Sequence, residues 1–372
     1  MIRVVIKRRE EPIPYATSSM FSIFTAIFIS LLILMFFGVD PVLAFFGAFV
    51  KPMTNRFGWY GVINNGLILL LCGVGLVIAF KAGVWNIGAE GQLLMGAIAA
   101  TWVALYLMPN AEPNMIIASM FLLGFLAGGI WGVLAGILKA KMDVNEVLST
   151  MMLNYIAYQL VYYLVMGPWE NPRTRYPVSK PFPENARLPV LSKTLPLAIP
   201  TLIIAVIAPI VLYIFLYHTS IGYELRAVGS NPEAARSYGI SQGKAIIIAM
   251  FISGGFAGLA GVHVVASGMP PQLRRPEQVS RGYGFIAILV AWLAGLNPLA
   301  TYLSAIILGI FIIAGFQIQI LFKTGIGVTN VFIGCLLITL SVAETLRYYD
   351  IIIRIEIPRV YKSVQKDVGG GV

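Results

Sequence analysis

The chain has 372 residues, of which 58% are hydrophobic and only 11% are charged, and its formal net charge is +10. A soluble domain carries about 25% charged residues, so this composition and a mean hydropathy of +0.84 exclude a soluble enzyme and indicate a polytopic membrane protein. The basic residues are scattered over loops and both ends, without a stripe interleaved with aromatic residues, which argues against a nucleic-acid-binding protein.

The first predicted element is a membrane span that is not cleaved as a signal peptide. Four basic residues stand within the first nine positions, and an apolar run from Met20 to Phe37 follows them. This run is longer than the apolar region of a cleaved signal peptide, which has about 7 to 15 residues. We therefore expect a first span over residues 20–38 and a cytoplasmic segment over residues 1–19.

Long apolar segments continue along the chain and predict an all-α polytopic membrane protein. A span needs roughly 20 residues, and the chain supplies about ten such segments, within a range of eight to ten. The eighth is short, and the Gly and Pro residues at its end indicate a shallow or re-entrant pair of helices. The predicted spans cover residues 20–38, 59–80, 86–108, 115–138, 146–166, 196–217, 244–266, 282–295, 298–318 and 324–345.

The distribution of Lys and Arg predicts that both termini are cytoplasmic. On this topology residues 1–372 form a single transmembrane domain, with an extracytoplasmic loop at 167–195, a cytoplasmic segment at 218–244 and a cytoplasmic tail at 346–372. The loop at 167–195 carries basic residues, which long loops tolerate on the outer side. Its six prolines oppose regular structure, so we expect a compact cap.

A glycine-rich polar stretch interrupts the apolar pattern before the third predicted span. It contains Asn86, Glu90 and Gln92, and polar groups inside a membrane are expensive unless they face protein or water. The functional interpretation is a substrate pathway or its cytoplasmic gate. The structural interpretation, which we favour for Glu90, is that these side chains cap and cross-link the cytoplasmic end of the third span, with Lys81 as a partner of Glu90.

Other polar residues in the predicted spans give weaker indications of function. Asn154 in the fifth span is a candidate contact for an uncharged solute, although a hydrogen bond between helices is the commoner role. Asn64 and Asn65 open the second span and are expected at the membrane interface rather than in a site. His263 has no neighbour at ligand spacing, so we expect a packed or hydrogen-bonded core residue and no metal site.

The sequence predicts that this chain does not itself catalyse a reaction. It contains no Gly-rich phosphate-binding loop followed by Lys and Ser or Thr, and no Ser-His-Asp or paired-carboxylate arrangement. Cys72 and Cys335 both lie in apolar runs and are expected to be small buried residues. We therefore do not expect an enzyme.

A polar segment after the sixth predicted span is the second distinctive passage. Residues 221–240 predict two short helices outside the membrane, with Gly229 at the corner between them. Asn231 or the preceding serine can cap the second helix, Pro232 suits its first position, and Gly239 offers a stop. Such a helix could seat in a groove of a partner, or it could be an ordinary solvated connector.

Several blocks of the sequence resemble one transporter superfamily. The run from Asn231 to Arg236 followed by Gly239 resembles the cytoplasmic coupling region of ABC importer permeases for branched-chain amino acids, ribose and nucleosides. The stretch from Trp85 to Gln92 is similar to the Asn-Ile-Gly-x-Glu-Gly-Gln signature of that superfamily. The stretch from Asn145 to Ile156 resembles its nucleoside branch, which is linked to BMP-type receptors, and the turn from Ala294 to Pro298 also matches.

The resemblance implies a permease subunit of an ABC importer that moves nucleosides or a related sugar-containing solute by alternating access. It also implies a second, unlike permease subunit, two ATP-binding cassette domains and an extracytoplasmic solute-binding lipoprotein as partners, in the lipid of a prokaryotic cytoplasmic membrane. ATP and Mg would bind to the ATPase partners, so this chain would hold no cofactor. The resemblance assigns coupling to Asn231, Pro232, Glu233, Ala234, Ala235, Arg236 and Gly239. The candidate residues for the pathway or gate are Asn86, Glu90, Gln92 and Asn154.

Other functions remain open on the sequence. Ribose-like sugars or branched-chain amino acids are alternative solutes within the same superfamily. An ATP-independent channel or secondary transporter would account for the spans and the intramembrane polar residues, but it would leave the cytoplasmic helix without a role. An intramembrane enzyme is opposed by the missing catalytic constellation.

Overall fold

Helices dominate the computed structural model, which describes residues 2–8, 11, 13–36, 38–174, 176–192, 194–323 and 327–355. The described chain divides into two compact units, one assigned to Met1–Phe28 with Cys335–Val372 and the other to Ile29–Gly334. The greater part of the predicted C-terminal tail, from residue 356 onwards, lies outside the described residues.

The first unit contains a short antiparallel ribbon that the sequence did not predict. Strand β1 (Ile2–Arg8) pairs with strand β2 (Tyr349–Ile355), and Ile2 lies opposite Ile355. The pairing brings both ends of the described chain to the same side, as the predicted topology requires. Which side of the membrane this is stays a prediction.

Hydrogen bonds join the two chain segments of the first unit. The Thr339 hydroxyl donates to the backbone oxygen of Ser22 at 3.1 Å, and Arg347 Nε donates to the backbone oxygen of Ile13 at 2.8 Å. Arg347 also pairs with Glu344, one helical turn earlier, at 3.2 Å. The hydrogen bonds therefore connect residues 13–22 with residues 339–347.

The helices follow the predicted spans closely and confirm an all-α membrane architecture outside the ribbon. Eight described helices are long and apolar enough to cross a membrane, which lies within the predicted range. The helices are α1 (Tyr15–Phe36), α2 (Pro41–Phe45), α3 (Lys51–Met53), α4 (Arg56–Lys81), α5 (Ala89–Trp102), α6 (Pro113–Met142), α7 (Glu146–Met166), α8 (Ile199–His218), α9 (Ser220–Ser230), α10 (Pro232–Ser237), α11 (Gln242–Ala266), α12 (Pro276–Val279), α13 (Tyr283–Leu293), α14 (Thr301–Phe322) and α15 (Val328–Tyr348).

Three parts of the chain differ from a regular series of membrane-spanning helices. Helix α7 has the predicted bounds but falls outside the eight apolar helices, because its amides and tyrosines lower its hydropathy. Helix α13 has only 11 residues, in agreement with the short eighth span. The π-helical segment Phe46–Val50 joins α2 to α3, and together they form a short apolar helix that was not predicted.

The core of the second unit is built around α4 and α11, its two most buried apolar helices. Helix α11 packs against α4, α5 and α6, while α13 and α14 pack against α4. A Cβ on Gly96 would lie 2.1 Å from the Gly258 oxygen, and one on Gly258 would lie 2.2 Å from the Gly124 oxygen. Glycine is therefore required where α5, α6 and α11 approach each other, as is typical of membrane helices.

The loop at 167–195 is compact. Its backbone donates from Ser179 to the Leu273 oxygen at 2.9 Å and from Phe182 to the Pro271 oxygen at 2.8 Å, and the Phe182 side chain is buried. Among the residues described there, regular helix is limited to the single turn Glu184–Ala186. This agrees with the expectation of a cap, and its extracytoplasmic position stays a prediction.

Candidate functional site

A group of buried amides ties the loop before α5 to two helices. Asn86 Nδ2 donates to Gln92 Oε1 and to Ser253 Oγ, both at 2.9 Å, and Gln92 Nε2 donates to Asn86 Oδ1 at 3.1 Å. Asn86 Oδ1 also accepts the Gly88 N–H at 2.9 Å. Because Gln92 lies on α5 and Ser253 on α11, this network positions the loop relative to both helices.

The side-chain amide of Asn154 hydrogen-bonds through both its nitrogen and its oxygen to the backbone of the same polar stretch. Its Nδ2 donates to the Ile87 oxygen at 3.0 Å, and its Oδ1 accepts the Gly91 N–H at 2.8 Å. A Cβ on Gly91 would lie 2.8 Å from that Oδ1, so glycine is needed for this approach. Asn154 of α7 therefore holds the entry to α5 in place.

Glu90 is completely buried and accepts three hydrogen bonds. Its Oε1 accepts from the Tyr158 hydroxyl and from the Gly282 N–H, both at 3.0 Å, and its Oε2 accepts from the Gly284 N–H at 2.8 Å. Gly282 is the N-cap of α13, so the Glu90 carboxyl group fills the hydrogen-bonding positions that the start of this helix leaves open. The structural role expected for Glu90 is present, but with different partners.

The expected pairing of Glu90 with Lys81 is wrong. Among the described residues, no ion pair joins the two side chains, and Lys81 instead lines a cavity with Arg226. The reason is that residues 84–87 are not helical. This extended segment carries Glu90 away from the end of α4, towards α7 and α13.

The polar stretch contacts α7 well beyond the first turn of that helix. Asn154 and Tyr158 are eight and twelve residues beyond Glu146, the first residue of α7, which corresponds to about 12 and 18 Å along a helix axis. Their partners Gly91 and Glu90 must lie at a similar depth. Helix α5 therefore begins inside the bundle.

We refer to Asn86, Glu90, Gln92, Asn154 and Tyr158 as the buried polar cluster. It connects α5, α7, α11, α13 and the loop before α5 through hydrogen bonds. The sequence analysis singled out four of its members and missed Tyr158, although this residue lies one helical turn after Asn154 on the same helix face. The cluster is suited to hold these helices in one arrangement rather than to perform chemistry.

The turn between α6 and α7 is built from charged and capping residues. Asn145 Oδ1 accepts the Val147 N–H at 2.9 Å and caps α7. Lys139 lies 2.8 Å from Asp143 and 3.5 Å from Glu146. The Lys139 ammonium, which bonds to Asp143, holds the pKa of that exposed carboxyl below its ordinary value.

The predicted pair of short polar helices is present as α9 and α10. Asn231 Oδ1 accepts the N–H groups of Glu233 and Ala234 at 3.1 and 3.0 Å, Pro232 is the first residue of α10, and Gly239 follows the helix with φ 80°. Asn231 is therefore the N-cap, as the sequence indicated. The side chains of α10 are exposed except for Ala235.

The predicted corner at Gly229 is wrong, because α9 continues to Ser230 and the chain turns at Asn231. The glycine is needed for a different reason. A Cβ at position 229 would lie 2.1 Å from the Lys81 oxygen and 2.9 Å from the Gly83 nitrogen. Helix α9 thus lies directly against the turn that leads from α4 to the buried polar cluster.

His263 is a hydrogen-bonded core residue, as expected. It is completely buried, and its Nδ1 lies 3.0 Å from Thr201 Oγ1. Within the described part of the chain, no group of three or more His, Cys, Asp or Glu side chains is placed to hold a metal ion.

We expect Asn154→Leu to destabilise the fold by about 2 to 3 kcal/mol, because it leaves a buried N–H and a buried carbonyl without partners. Gln159→Leu is the matched control, since Gln159 is an exposed amide on the same helix. Thermal unfolding of the purified protein in detergent measures both. Equal stabilities for the two variants would contradict a structural role for Asn154.

Comparison with known proteins places the chain in a family. The family described as branched-chain amino acid transport system / permease component matches residues 59–341. The glucose ABC transporter permease protein TsgB13 of Haloferax volcanii is 32% identical over 322 residues, which cover 84% of this chain and 83% of the relative. No solved structure matches.

Two further relatives are named for nucleosides. The guanosine ABC transporter permease protein NupP of Bacillus subtilis is 33% identical over 64% of this chain and 68% of its own length. The nucleoside ABC transporter permease protein NupB of Lactococcus lactis is 28% identical over 75% of this chain and 78% of its own length. The chain, a multi-pass membrane protein, therefore belongs to the branched-chain amino acid transport system permease family of ABC transporters.

Proposed function

We propose that this chain is the permease subunit of an ABC importer that takes up nucleosides or a related sugar-containing solute. The names of the relatives, which specify glucose, guanosine and nucleosides, support this solute class. The same relationship supports an ATPase and a solute-binding protein as partners. Ribose-like sugars and branched-chain amino acids are the alternative solutes.

The proposed assembly contains a second, unlike permease subunit, two ATP-binding cassette domains that bind ATP and Mg, and an extracytoplasmic lipoprotein receptor. The two different guanosine permease proteins of Bacillus subtilis, NupP and NupQ, support unlike halves. The membrane is the cytoplasmic membrane of a prokaryote, with α9 and α10 on the cytoplasmic side.

The observation that carries the proposal is the placement of α9 and α10. Helix α10 is capped at Asn231 and exposes Glu233, Ala234 and Arg236. Helix α9 contacts the turn that leads to the buried polar cluster. A partner that binds α10 would therefore move a rigid unit that touches the core of the permease, which is what coupling to an ATPase requires.

In this mechanism Asn231, Pro232 and Gly239 shape the coupling helix, Ala235 anchors it, and the exposed side chains between them bind the ATPase. The buried polar cluster acts as the gate. Its hydrogen bonds hold α5, α7, α11 and α13 in one arrangement. Exchange of these bonds for others would accompany the change between outward-open and inward-open states.

We expect Glu233→Arg to lower ATP-dependent uptake by about ten-fold or more while the complex still assembles, because it reverses an exposed charge at the proposed ATPase contact. Glu11→Arg, at an exposed position of the predicted cytoplasmic segment 1–19, is the matched control and should transport like the wild type. Uptake of radiolabelled nucleoside and glucose into proteoliposomes containing the full assembly measures the effect. Normal coupled uptake by Glu233→Arg would contradict the proposed coupling role.

The same preparation distinguishes the importer from an ATP-independent channel or secondary transporter. Uptake by the purified chain alone, without ATP and without partner subunits, would overturn the proposal. An importer subunit is expected to show uptake only with ATP and the complete set of partners.

A further inference from the structure

A cavity of about 550 Å³ lies where the end of α4, helix α9 and the turn after α13 meet. All of its lining residues belong to the second unit. Its volume lies within the range of small-molecule sites, which is roughly 300 to 1,000 Å³. Lys81 and Arg226 supply two positive charges to its wall, and none of the described residues that line it is acidic. The cavity is therefore suited to an anion.

Lys81 is the cation of this cavity that lacks a partner. Its side chain is partly buried, and within the described part of the chain it forms no hydrogen bond or ion pair. Its charged neighbour is Arg226, and the two like charges repel each other. Taking a charge partly out of water without a partner costs free energy. An anion between the two side chains would remove the repulsion and supply the missing partner.

Arg226 is already fixed in position. Its Nε donates to the Leu216 oxygen at 3.1 Å, and its guanidinium group lies over the Tyr217 ring, 5.1 Å from the ring centre. A guanidinium group has five N–H donors, so four remain after this bond. Pairs of such donors match the oxygens of a phosphate group. Because Leu216 and Tyr217 orient the group beforehand, an anion that binds it orders little more of the side chain.

The cavity adjoins a cluster of three aromatic rings. Phe80 lines the cavity, and its ring centre lies 5.6 Å from that of Trp85, which stacks on Trp292 at 5.7 Å. Trp85 is 45% exposed. Exposed aromatic side chains next to the end of an apolar helix are typical of the interface between membrane and water. Leu296 adds a second apolar side chain to the wall. A ligand can therefore place a charged group against the two cations and an apolar part along Phe80 and Leu296.

A phospholipid combines a phosphate group with an apolar part in this way, and a basic pocket beside membrane helices suits an anionic headgroup. We propose that this cavity binds the phosphate group of an anionic phospholipid from the leaflet next to α9. The phosphate lies between Lys81 and Arg226. The glycerol and the upper acyl chain lie along Phe80 and Leu296. Free phosphate offers the same oxygens but leaves this apolar wall uncovered.

The site lies at the contact between α9 and the end of α4. A Cβ at position 229 would lie 2.1 Å from the Lys81 oxygen, so the two backbones touch beside the cavity. A phosphate held by Lys81 and Arg226 bridges the last residue of α4 and the middle of α9. The lipid thus stabilises the contact through which the ATPase is proposed to act. This consequence rests on the proposed function, whereas the binding of the lipid does not.

The first test measures how fast a cysteine in the cavity is labelled. Ser230 is exposed and lines the cavity, so Ser230→Cys places a thiol beside the proposed phosphate, while the native cysteines are both buried. In nanodiscs that contain the full assembly, replacing phosphatidylcholine with phosphatidylglycerol should slow labelling by an uncharged, water-soluble maleimide by about five-fold or more. Adding Lys81→Gln should abolish this protection. Gln242→Cys, exposed early in α11 and outside the cavity, is the matched control and should be labelled equally fast in both lipids.

Three results of this test would overturn the lipid site. The first is equal labelling of Ser230→Cys in the two lipids. The second is protection by inorganic phosphate in phosphatidylcholine nanodiscs, which would assign the cavity to a free anion. The third is protection that appears on addition of the ATPase subunits whichever lipid is present, which would assign the cavity to the protein partner.

The second test measures the effect of the lipid on coupling. We expect ATP-dependent uptake of radiolabelled nucleoside by the wild-type assembly to rise by about three-fold or more when phosphatidylglycerol is added to phosphatidylcholine proteoliposomes. Lys81→Gln should lose this response. Lys244→Gln, which removes an exposed cation early in α11, should keep it, since general attraction of basic residues to an anionic surface acts on both lysines.

A full response in Lys81→Gln would overturn the role of this site in coupling. A wild-type assembly that takes up neither nucleoside nor glucose in any lipid would instead overturn the proposed import function. The labelling result at Ser230→Cys would still stand in that case, because it measures occupancy of the cavity and not transport.

Discussion

Replacing Glu90 with glutamine is expected to destabilise the folded protein by about 3 kcal/mol, because at least one buried backbone N–H loses its acceptor. The carboxyl group accepts from Tyr158 and Gly282 through one oxygen and from Gly284 through the other. A glutamine keeps one oxygen and places an NH₂ group against a remaining donor. The two N–H groups lie at the start of α13, where no helical carbonyl is available to them.

The packing around Glu90 leaves little room for the backbone to adjust to a glutamine. A Cβ at Gly284 would lie 2.2 Å from the Glu90 nitrogen, so the two backbones are in direct contact. The Tyr158 hydroxyl oxygen also lies 3.0 Å from Ser280 Oγ. A shift that accommodates the glutamine would disturb α5, α7 and α13 together.

The control for this variant is Glu277→Gln. Glu277 is exposed and accepts one hydrogen bond, from the Tyr162 hydroxyl at 2.8 Å, so its replacement should change stability by no more than about 0.5 kcal/mol. Thermal unfolding in detergent and the amount of protein accumulated in the membrane measure both variants. If Glu90→Gln unfolds at the wild-type temperature, the carboxyl group does not hold these helices together.

The sequence predicted the features that depend on local composition. The bounds of α7 match the predicted span over residues 146–166, and Asn231 caps α10 as its residue type and the following proline indicated. Apolar length and capping chemistry act over a few residues, so they can be read without knowing the rest of the fold.

The sequence could not supply the partners of the buried polar cluster. Glu90 meets Gly282 and Gly284 more than 190 positions later in the chain, and no local pattern connects them. Lys81 was the nearest charge in sequence, but the extended residues 84–87 separate it from Glu90. Long-range packing decided this contact, as it did the close approach at Gly229.

The ribbon and the short apolar helix were missed for different reasons. The segment Pro41–Met53 is too short for a spanning helix, so the hydropathy criterion passed over it. Strand β1 carries three basic residues that were interpreted only as topology signals, and its partner follows directly after α15. A two-stranded ribbon between the ends of a chain has no local sequence signature.

A side chain at Gly229 is expected to separate the coupling helices from the transport core. The Cβ of Gly229→Ala would lie 2.1 Å from the Lys81 oxygen and 2.9 Å from the Ala82 carbonyl carbon. Both are backbone atoms, which cannot move aside as a flexible side chain can, so α9 must shift by about 1 Å or more to restore van der Waals distance. Since this turn leads to Asn86 and the buried polar cluster, the shift falls on the proposed path between the ATPase and the gate.

We therefore expect Gly229→Ala to reduce ATP-dependent uptake by about ten-fold or more, equivalent to about 1.4 kcal/mol of lost coupling, while ATP hydrolysis by the assembly continues. Gly243→Ala is the matched control, because its Cβ would meet the Ala140 Cβ at 3.4 Å, an ordinary contact, early in α11. Uptake and ATPase rates measured on the same proteoliposomes separate uncoupling from failed assembly, in which both rates fall together. Wild-type uptake by Gly229→Ala would show that the contact between α9 and the Lys81 turn does not transmit the motion, and the coupling path would then have to run through α8 or α11, the helices that flank α9 and α10 in the chain.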